Sequence, residues 1–151
     1  MKKIWLVPVA CVLGISSPAL AQQDEVLTVV NRFVDGFNKS DAKAVAASCA
    51  EQTSIIDEFP PHEWHGAGAC LKWMKDFEVF AKKNDITPGP VTLGKPSHVD
   101  ITDDLAYVVI PSNYTFKQKA VAKREDAAAF TFVLHKDKGE WRLIGWSWAT
   151  P

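Results

Sequence analysis

The chain has 151 residues, of which 47% are hydrophobic and 23% charged, and its formal net charge is −1 at pH 7. This length suits one domain with a substantial core, which argues against a two-domain chain. The nearly balanced charge, without a basic stripe interleaved with aromatic residues, argues against a nucleic-acid partner.

Residues 1–21 have the three-part layout of a secretory signal peptide. Lys2 and Lys3 provide a charged start, residues 4–15 an apolar run, and Ala19, Leu20 and Ala21 a small-x-small cleavage site. The apolar run is shorter than the roughly 18 to 20 residues of a permanent transmembrane helix. We therefore expect cleavage near Ala21 and a periplasmic or secreted domain over residues 22–151 that is not membrane-embedded.

Three helices are predicted in the first half of this domain. Apolar residues spaced three or four positions apart predict an amphipathic helix over residues 24–39. Ser40 or Asp41 can cap a short second helix that contains Ala44 and Val45. A third amphipathic helix is predicted over residues 66–83.

Five strands are predicted around and after these helices. One covers residues 53–59 and ends at Pro60-Pro61, and the others cover residues 91–101, 105–117, 127–136 and 141–149. This order predicts an α+β domain, with three helices packed on one face of a curved antiparallel sheet that encloses a cavity.

Two cysteines, Cys49 and Cys70, follow the predicted signal peptide. An even number of cysteines in an oxidising compartment is consistent with a disulfide. Two small buried residues on neighbouring helices would give the same pattern. The sequence leaves both interpretations open, because it does not fix the distance between the two Cα atoms.

The chain resembles the nuclear transport factor 2-like superfamily, in its SnoaL-like and ketosteroid isomerase-like branch. The resemblance rests on VVNRFVDGFNKSD in the first helix, a strand that ends in Asp57, a proline-bearing loop, a glycine that opens the third helix, and the closing strand GEWRLIGWSWA. It covers residues 24–149 and is moderately specific for the fold, but weak for the reaction, since this fold serves many functions.

The resemblance implies a cone-shaped, apolar pocket between the helices and the sheet, and a homodimer packed sheet to sheet. The residues expected to line the pocket are Phe33, Phe37, Trp64, His65, Met74 and Trp146. Tryptophans of the closing strand suit a core or a dimer interface as well as a pocket wall.

Asp57 occupies the position that resembles the proton-transferring carboxylate of the ketosteroid isomerases. Burial beside an apolar pocket would raise its pKa and make it a usable general base. Strand alternation predicts that only one of Asp57 and Glu58 faces inward. The isomerases' two oxyanion donors are missing, since Phe33 and either Phe130 or Thr131 stand at their positions. An inward Tyr114 would replace one of them; otherwise Tyr114 lies on the sheet surface.

The segment from Pro60 to Gly66 contains His62, Trp64 and His65. One interpretation is that His62 and His65 assist Asp57 in proton transfer near neutral pH. The other is a loop in which His65 caps the third helix, His62 is solvated and Trp64 plugs the pocket rim. The H-E-x-H spacing does not match a helical zinc motif, so neither a metal nor a cofactor is expected.

Three functions remain in competition. The favoured one is an exported domain that binds a small apolar molecule without turnover. The alternatives are an isomerase or lyase-type enzyme that uses Asp57 as its base, with His62 or Tyr114 assisting, and a homodimer that serves protein association.

Overall fold

The computed structural model describes residues 18–151. Residues 1–17, which make up most of the predicted signal peptide, lie outside the described residues. Three helices occur in the predicted order: α1 (Pro18–Asn38), α2 (Ala42–Ser48) and α3 (Ala69–Lys83). The helix predicted to begin at residue 24 therefore begins earlier, and the one predicted to begin at residue 66 begins later.

Local chemistry explains where α2 and α3 begin. The Asp41 side chain accepts a hydrogen bond from the backbone N–H of Ala44 at 3.0 Å and caps α2. Gly68 precedes α3 in the left-handed conformation, with φ of 72°. Glycine adopts this conformation without steric cost, so the helix begins at residue 69. His65 therefore does not cap α3, contrary to that interpretation of the loop.

Seven strands form one mixed sheet. They are β1 (Cys49–Ile56), β2 (Glu63–Ala67), β3 (Ile86–Leu93), β4 (His98–Thr102), β5 (Leu105–Gln118), β6 (Val121–Asp137) and β7 (Glu140–Ala149). The order is β2-β1-β7-β6-β5-β3, and β4 also pairs with β5. All the pairings are antiparallel except that of β1 with β7, so the prediction of a wholly antiparallel sheet was wrong at this one pair.

The strand bounds correct the sequence prediction in several places. β1 ends at Ile56, so Asp57 follows the strand instead of lying within it. Residues 63–67, predicted to be loop, form β2 and pair with β1. The strand predicted over residues 91–101 is divided between β3, which ends at Leu93, and β4, which begins at His98.

The core lies between the helices and the concave face of the sheet. Phe33 of α1 is 1% exposed and stands at its centre. Its ring lies 5.5 Å from that of Trp146 on β7 and 6.0 Å from that of Trp73 on α3, measured between centroids. Aromatic contacts of this kind stabilise a core beyond the area that they bury. The α+β architecture predicted from the sequence is confirmed.

Cys49 and Cys70 form a disulfide, which settles the question that the sequence left open. Their Cα atoms lie 6.6 Å apart, and both residues are buried. The bond joins the beginning of β1 to the first turn of α3. It therefore connects the strand that leads to Asp57 with the helix that carries Trp73.

Within residues 18–151, none of the helices combines the length and the apolar character needed to cross a bilayer.

Candidate functional site

A cavity of about 270 Å³ lies between the concave face of the sheet and the helices α1 and α3. This volume is close to the lower end of the range for small-molecule sites. Most of its wall is aromatic or aliphatic. The lining residues are Phe33, Val34, Phe37, Asp57, Glu58, Phe59, Trp73, Phe77, Phe80, Ile86, Val91, Tyr114, Phe116, Gln118, Glu125, Phe130, Trp146 and Trp148.

Asp57 is held at the cavity wall by two hydrogen bonds. Its Oδ2 accepts one from the indole Nε1 of Trp73 at 2.7 Å, and its Oδ1 accepts one from the backbone N–H of Glu58 at 2.7 Å. Burial raises the pKa of Asp57 to about 6, although these two bonds favour the charged form and act to lower it. The negative charges of Glu58 and Glu125 add to the increase. The carboxyl group thus titrates close to neutral pH.

We expect Trp73→Phe to raise the pKa of Asp57 further above 6. The substitution keeps an aromatic ring but removes a hydrogen bond to the carboxylate, and such bonds to charged groups contribute about 1.5 to 3 kcal/mol. The expected increase is about one to two pKa units. Carboxyl-carbon NMR titration measures it directly.

Trp64→Phe is the matched control, because the indole of Trp64 donates instead to Asp76, at 2.8 Å. The titration of Asp57 should be unchanged in this variant. An equal shift in both variants would show that the Trp73 hydrogen bond does not set the pKa of Asp57.

Two further carboxylates line the cavity. Glu58 does so together with Asp57, and its Oε1 accepts hydrogen bonds from the backbone N–H and the hydroxyl of Thr150. The prediction that only one of Asp57 and Glu58 faces inward was wrong, because both residues lie beyond the end of β1, where strand alternation no longer applies. Glu125 accepts a hydrogen bond at Oε2 from the indole of Trp148 at 3.1 Å, and burial raises its pKa.

Tyr114 also lines the cavity, which decides between the two placements left open for it. Its hydroxyl is buried and has no hydrogen-bond partner among residues 18–151. Burial raises the pKa of this phenol above its ordinary value, and the charges of Glu125 and Asp57 raise it further. Tyr114 therefore stays protonated and can donate a hydrogen bond.

The other predicted pocket residues divide into two groups. Phe33, Phe37 and Trp146 line the cavity, whereas Trp64, His65 and Met74 do not. The buried ring of Trp64 packs against Phe59, with centroids 4.9 Å apart, so it does not plug the rim. Met74 packs against the core from α3 and is only partly buried.

The two histidines, His62 and His65, do not line the cavity. His65, on β2, is exposed and contacts the hydroxyl of Ser54 at 3.3 Å and the carboxylate of Glu63 at 3.2 Å. His62 is exposed, and its Nδ1 lies 3.2 Å from the backbone oxygen of Asp57, not from the carboxylate. Neither histidine is placed to exchange a proton with the Asp57 side chain.

Sequence reasoning missed Trp73 and Glu125. No strand was predicted between residues 117 and 127, but β6 begins at Val121 and places Glu125 directly opposite Tyr114 on β5. Extending the two strands of the β5–β6 hairpin further toward its turn would have revealed this pairing. Phe130, at one of the positions where the isomerases have an oxyanion donor, contributes only a ring to the wall.

Comparison with known proteins agrees with this architecture. Residues 26–148 match the family described as SnoaL-like domain. No protein with a curated description matches the sequence.

Solved structures share the fold at low sequence identity. A ketosteroid isomerase-like protein from Erwinia carotovora atroseptica is 21% identical, with a TM-score of 0.65 over 85% of this chain and 96% of that one. A nuclear transport factor 2-like protein with a cystatin-like fold from Novosphingobium aromaticivorans is 13% identical, with a TM-score of 0.67 over 87% and 83%. A variant of a protein of unknown function from Mycobacterium tuberculosis is 16% identical, with a TM-score of 0.69 over 87% and 77%.

These likenesses concern the fold alone, while the family match spans most of the chain. By that match the chain belongs to the SnoaL-like domain family, and its fold is the nuclear transport factor 2-like fold.

Proposed function

We propose that this domain binds a small, largely apolar molecule in the cavity beside Asp57 and Tyr114. The observation that carries the proposal is an aromatic cavity that contains a buried hydroxyl without a hydrogen-bond partner among the described residues. Ligand sites of this kind combine an apolar wall with a few polar groups that fix orientation.

Donors without a hydrogen-bond partner on the cavity wall indicate which polar groups such a ligand would carry. Leaving a buried donor without an acceptor costs about 1 to 3 kcal/mol. The indole N–H of Trp146 on the same wall also lacks a partner among residues 18–151. A ligand with a carbonyl or hydroxyl oxygen would satisfy the Tyr114 hydroxyl, the Trp146 N–H, or both.

A fragment library screened by melting temperature tests this proposal. A ligand at 100 times its dissociation constant stabilises the folded state by about 2.7 kcal/mol, a clear upward shift in melting temperature. We expect hits that are apolar and carry a hydrogen-bond acceptor. A screen in which only compounds too large for the cavity stabilise the protein would contradict the proposal.

Tyr114→Phe should weaken the binding of acceptor-bearing hits about 5- to 10-fold, because it removes a hydrogen bond worth roughly 1 to 1.5 kcal/mol and leaves the ring in place. Isothermal titration calorimetry measures the change. Tyr107→Phe is the control, since Tyr107 is 43% exposed on the opposite face of the sheet. Equal affinities for the wild type and Tyr114→Phe would exclude Tyr114 from the site.

The position of Asp57 and Tyr114 on the same wall supports the enzymatic alternative. With a pKa of about 6 and a neutral phenol on the same wall, Asp57 and Tyr114 supply a general base and a hydrogen-bond donor. This pair suits removal of a proton next to a carbonyl, as in an isomerase or lyase. Loss of product formation in Asp57→Asn with retained ligand binding would support turnover; binding without any product in the wild type would support the binding role.

The homodimer is supported by apolar side chains on the outer face of the sheet. Ile56 is 60% exposed, Leu105 is 50% exposed and Tyr107 is 43% exposed, whereas their neighbours Ile55 and Ala106 are buried on the inner face. Packing two such faces together would remove this apolar surface from water. A monomer at all concentrations in analytical ultracentrifugation would contradict it.

Export to the periplasm or the cell exterior is part of the proposal. The disulfide between Cys49 and Cys70 supports it, because such bonds persist in oxidising compartments. The signal-peptide pattern of residues 1–21 gives independent support. N-terminal sequencing of the protein recovered from a periplasmic extract should begin near Gln22.

A further inference from the structure

We infer that the cavity selects an apolar organic cation, an amine or quaternary ammonium compound, over neutral and anionic molecules of the same shape. This inference rests on the proposed binding function and specifies the charge of the ligand.

The cavity wall carries negative charge that no side chain neutralises. Asp57, Glu58 and Glu125 line it, and the lining residues include no lysine, arginine or histidine. In the part of the chain that the structure describes, none of these three carboxylates has a cationic group within 4.0 Å. Among the acidic residues outside the cavity, four pair with a lysine or an arginine: Glu25, Asp76, Asp126 and Glu140.

Lysines on the neighbouring strands do not neutralise these carboxylates. Lys123 lies two residues before Glu125 on β6, and its side chain is exposed. Lys117 on β5 is likewise exposed. No cation contributes to the pKa of Asp57 or of Glu125, which are raised by burial and by the neighbouring carboxylates. Asp57 and Glu125 are thus partly buried acids without a cationic partner among the described residues.

The rest of the wall suits a cation that is itself apolar. Eleven of the 18 lining residues are phenylalanine, tyrosine or tryptophan. Aromatic faces attract ammonium groups, with about 2 kcal/mol or more when the site is desolvated. A metal ion fits less well, because no group of three or more acidic, histidine or cysteine side chains within residues 18–151 is arranged to hold one.

One residue of the same wall also has a buried donor without a partner among the described residues. Trp146 is 4% exposed and its indole N–H has no partner among the described residues. The carboxylates and this donor together favour a molecule that joins an ammonium group to an oxygen acceptor through an apolar body.

The affinity for a cation should depend on pH, because cation binding is linked to the ionisation of Asp57. A bound cation favours the ionised carboxylate, so binding lowers the pKa of Asp57, and affinity for the cation must rise as pH increases through that pKa. A neutral ligand of the same shape does not gain in this way.

Three probes of matched shape test the inference: benzyltrimethylammonium, neopentylbenzene and phenylmethanesulfonate. Binding is followed by calorimetry and by the fluorescence of the cavity tryptophans, at low salt. At pH 7.5 we expect the cation to bind at least tenfold more tightly than the neutral probe, and the anion to bind most weakly. The preference should shrink at pH 5.

Substitutions of the cavity carboxylates test whether these groups cause the preference for the cation. Asp57→Asn combined with Glu125→Gln should reduce the preference for the cation several-fold while retaining the binding of neopentylbenzene, which also shows that the variant folds. Asp104→Asn, at an exposed turn outside the cavity, should leave the preference unchanged.

The outcomes separate this inference from the binding proposal. If neopentylbenzene or the sulfonate binds as tightly as the cation, the charge preference is overturned and the binding role stands. If no probe binds but the fragment screen yields neutral ligands, the inference again fails alone. If neither the probes nor any fragment binds, both are overturned.

Discussion

Replacing Cys49 and Cys70 with alanine is expected to lower the free energy of unfolding by about 3 kcal/mol. The disulfide closes a loop with a sequence separation of 21 residues. Opening a loop of that size restores conformational freedom to the unfolded chain equivalent to about 3 kcal/mol. For a domain of this size, the melting temperature should fall by roughly 10 °C. Urea unfolding, followed by circular dichroism, measures the loss.

Reductant supplies the control for this experiment. The wild type treated with dithiothreitol should approach the stability of the double variant, and the double variant should not respond. Because alanine leaves no thiol and no buried hydroxyl, the comparison isolates the covalent link. Equal unfolding free energies for the oxidised and reduced wild type would contradict a stabilising disulfide.

Asp57→Asn should change how stability depends on pH. The folded-state pKa of about 6 exceeds the ordinary value of 3.8, so between these values the folded protein retains a proton that the unfolded chain has lost. Asp57 therefore makes stability fall as pH rises from about 4 to about 6, and its cost is complete above that range. Asparagine does not titrate, and the variant lacks this decline.

The expected magnitude follows from the size of the shift. Each pKa unit corresponds to 1.36 kcal/mol, so the stability of Asp57→Asn relative to the wild type should rise by roughly 2 to 3 kcal/mol between pH 4 and pH 7. Trp73 and the Glu58 backbone donate to different oxygens of Asp57, and asparagine has an NH₂ group in place of one of them. The variant therefore loses one of these hydrogen bonds, which lowers its stability by an amount that depends little on pH.

Urea unfolding at a series of pH values gives both curves. Asp104→Asn provides the comparison, since Asp104 lies at an exposed turn, and its curve should run parallel to that of the wild type. A constant difference between Asp57→Asn and the wild type from pH 4 to pH 7 would show that Asp57 is not buried as the structure places it.

The helices and most strands could be predicted because their signals are local. The spacing of Val30, Val34 and Phe37 predicts α1, and Asp41 predicts the beginning of α2. β2 was missed because residues 63–67 are short and contain His, Gly and Glu, with little β-propensity of their own. They form a strand through pairing with β1, for example Ser54 with His65, which is a tertiary effect.

The residues of the site could be predicted only in part. Asp57 was found through the family resemblance, and Phe33, Phe37 and Trp146 through the pocket that the resemblance implies. Trp73 and Glu125 gain their importance from where the chain brings them: one turn after a disulfide cysteine on α3, and opposite Tyr114 across a hairpin. Such placements depend on register and helix packing, which the pattern of one segment does not reveal.

A crystal structure of the protein soaked with the best fragment hit will show whether the cavity beside Asp57 receives a small molecule. We predict electron density for the fragment within the aromatic wall, with an oxygen acceptor within hydrogen-bond distance of the Tyr114 hydroxyl. A cavity closed by its own phenylalanine and tryptophan side chains, with the fragment bound elsewhere, would rule out ligand binding in this cavity.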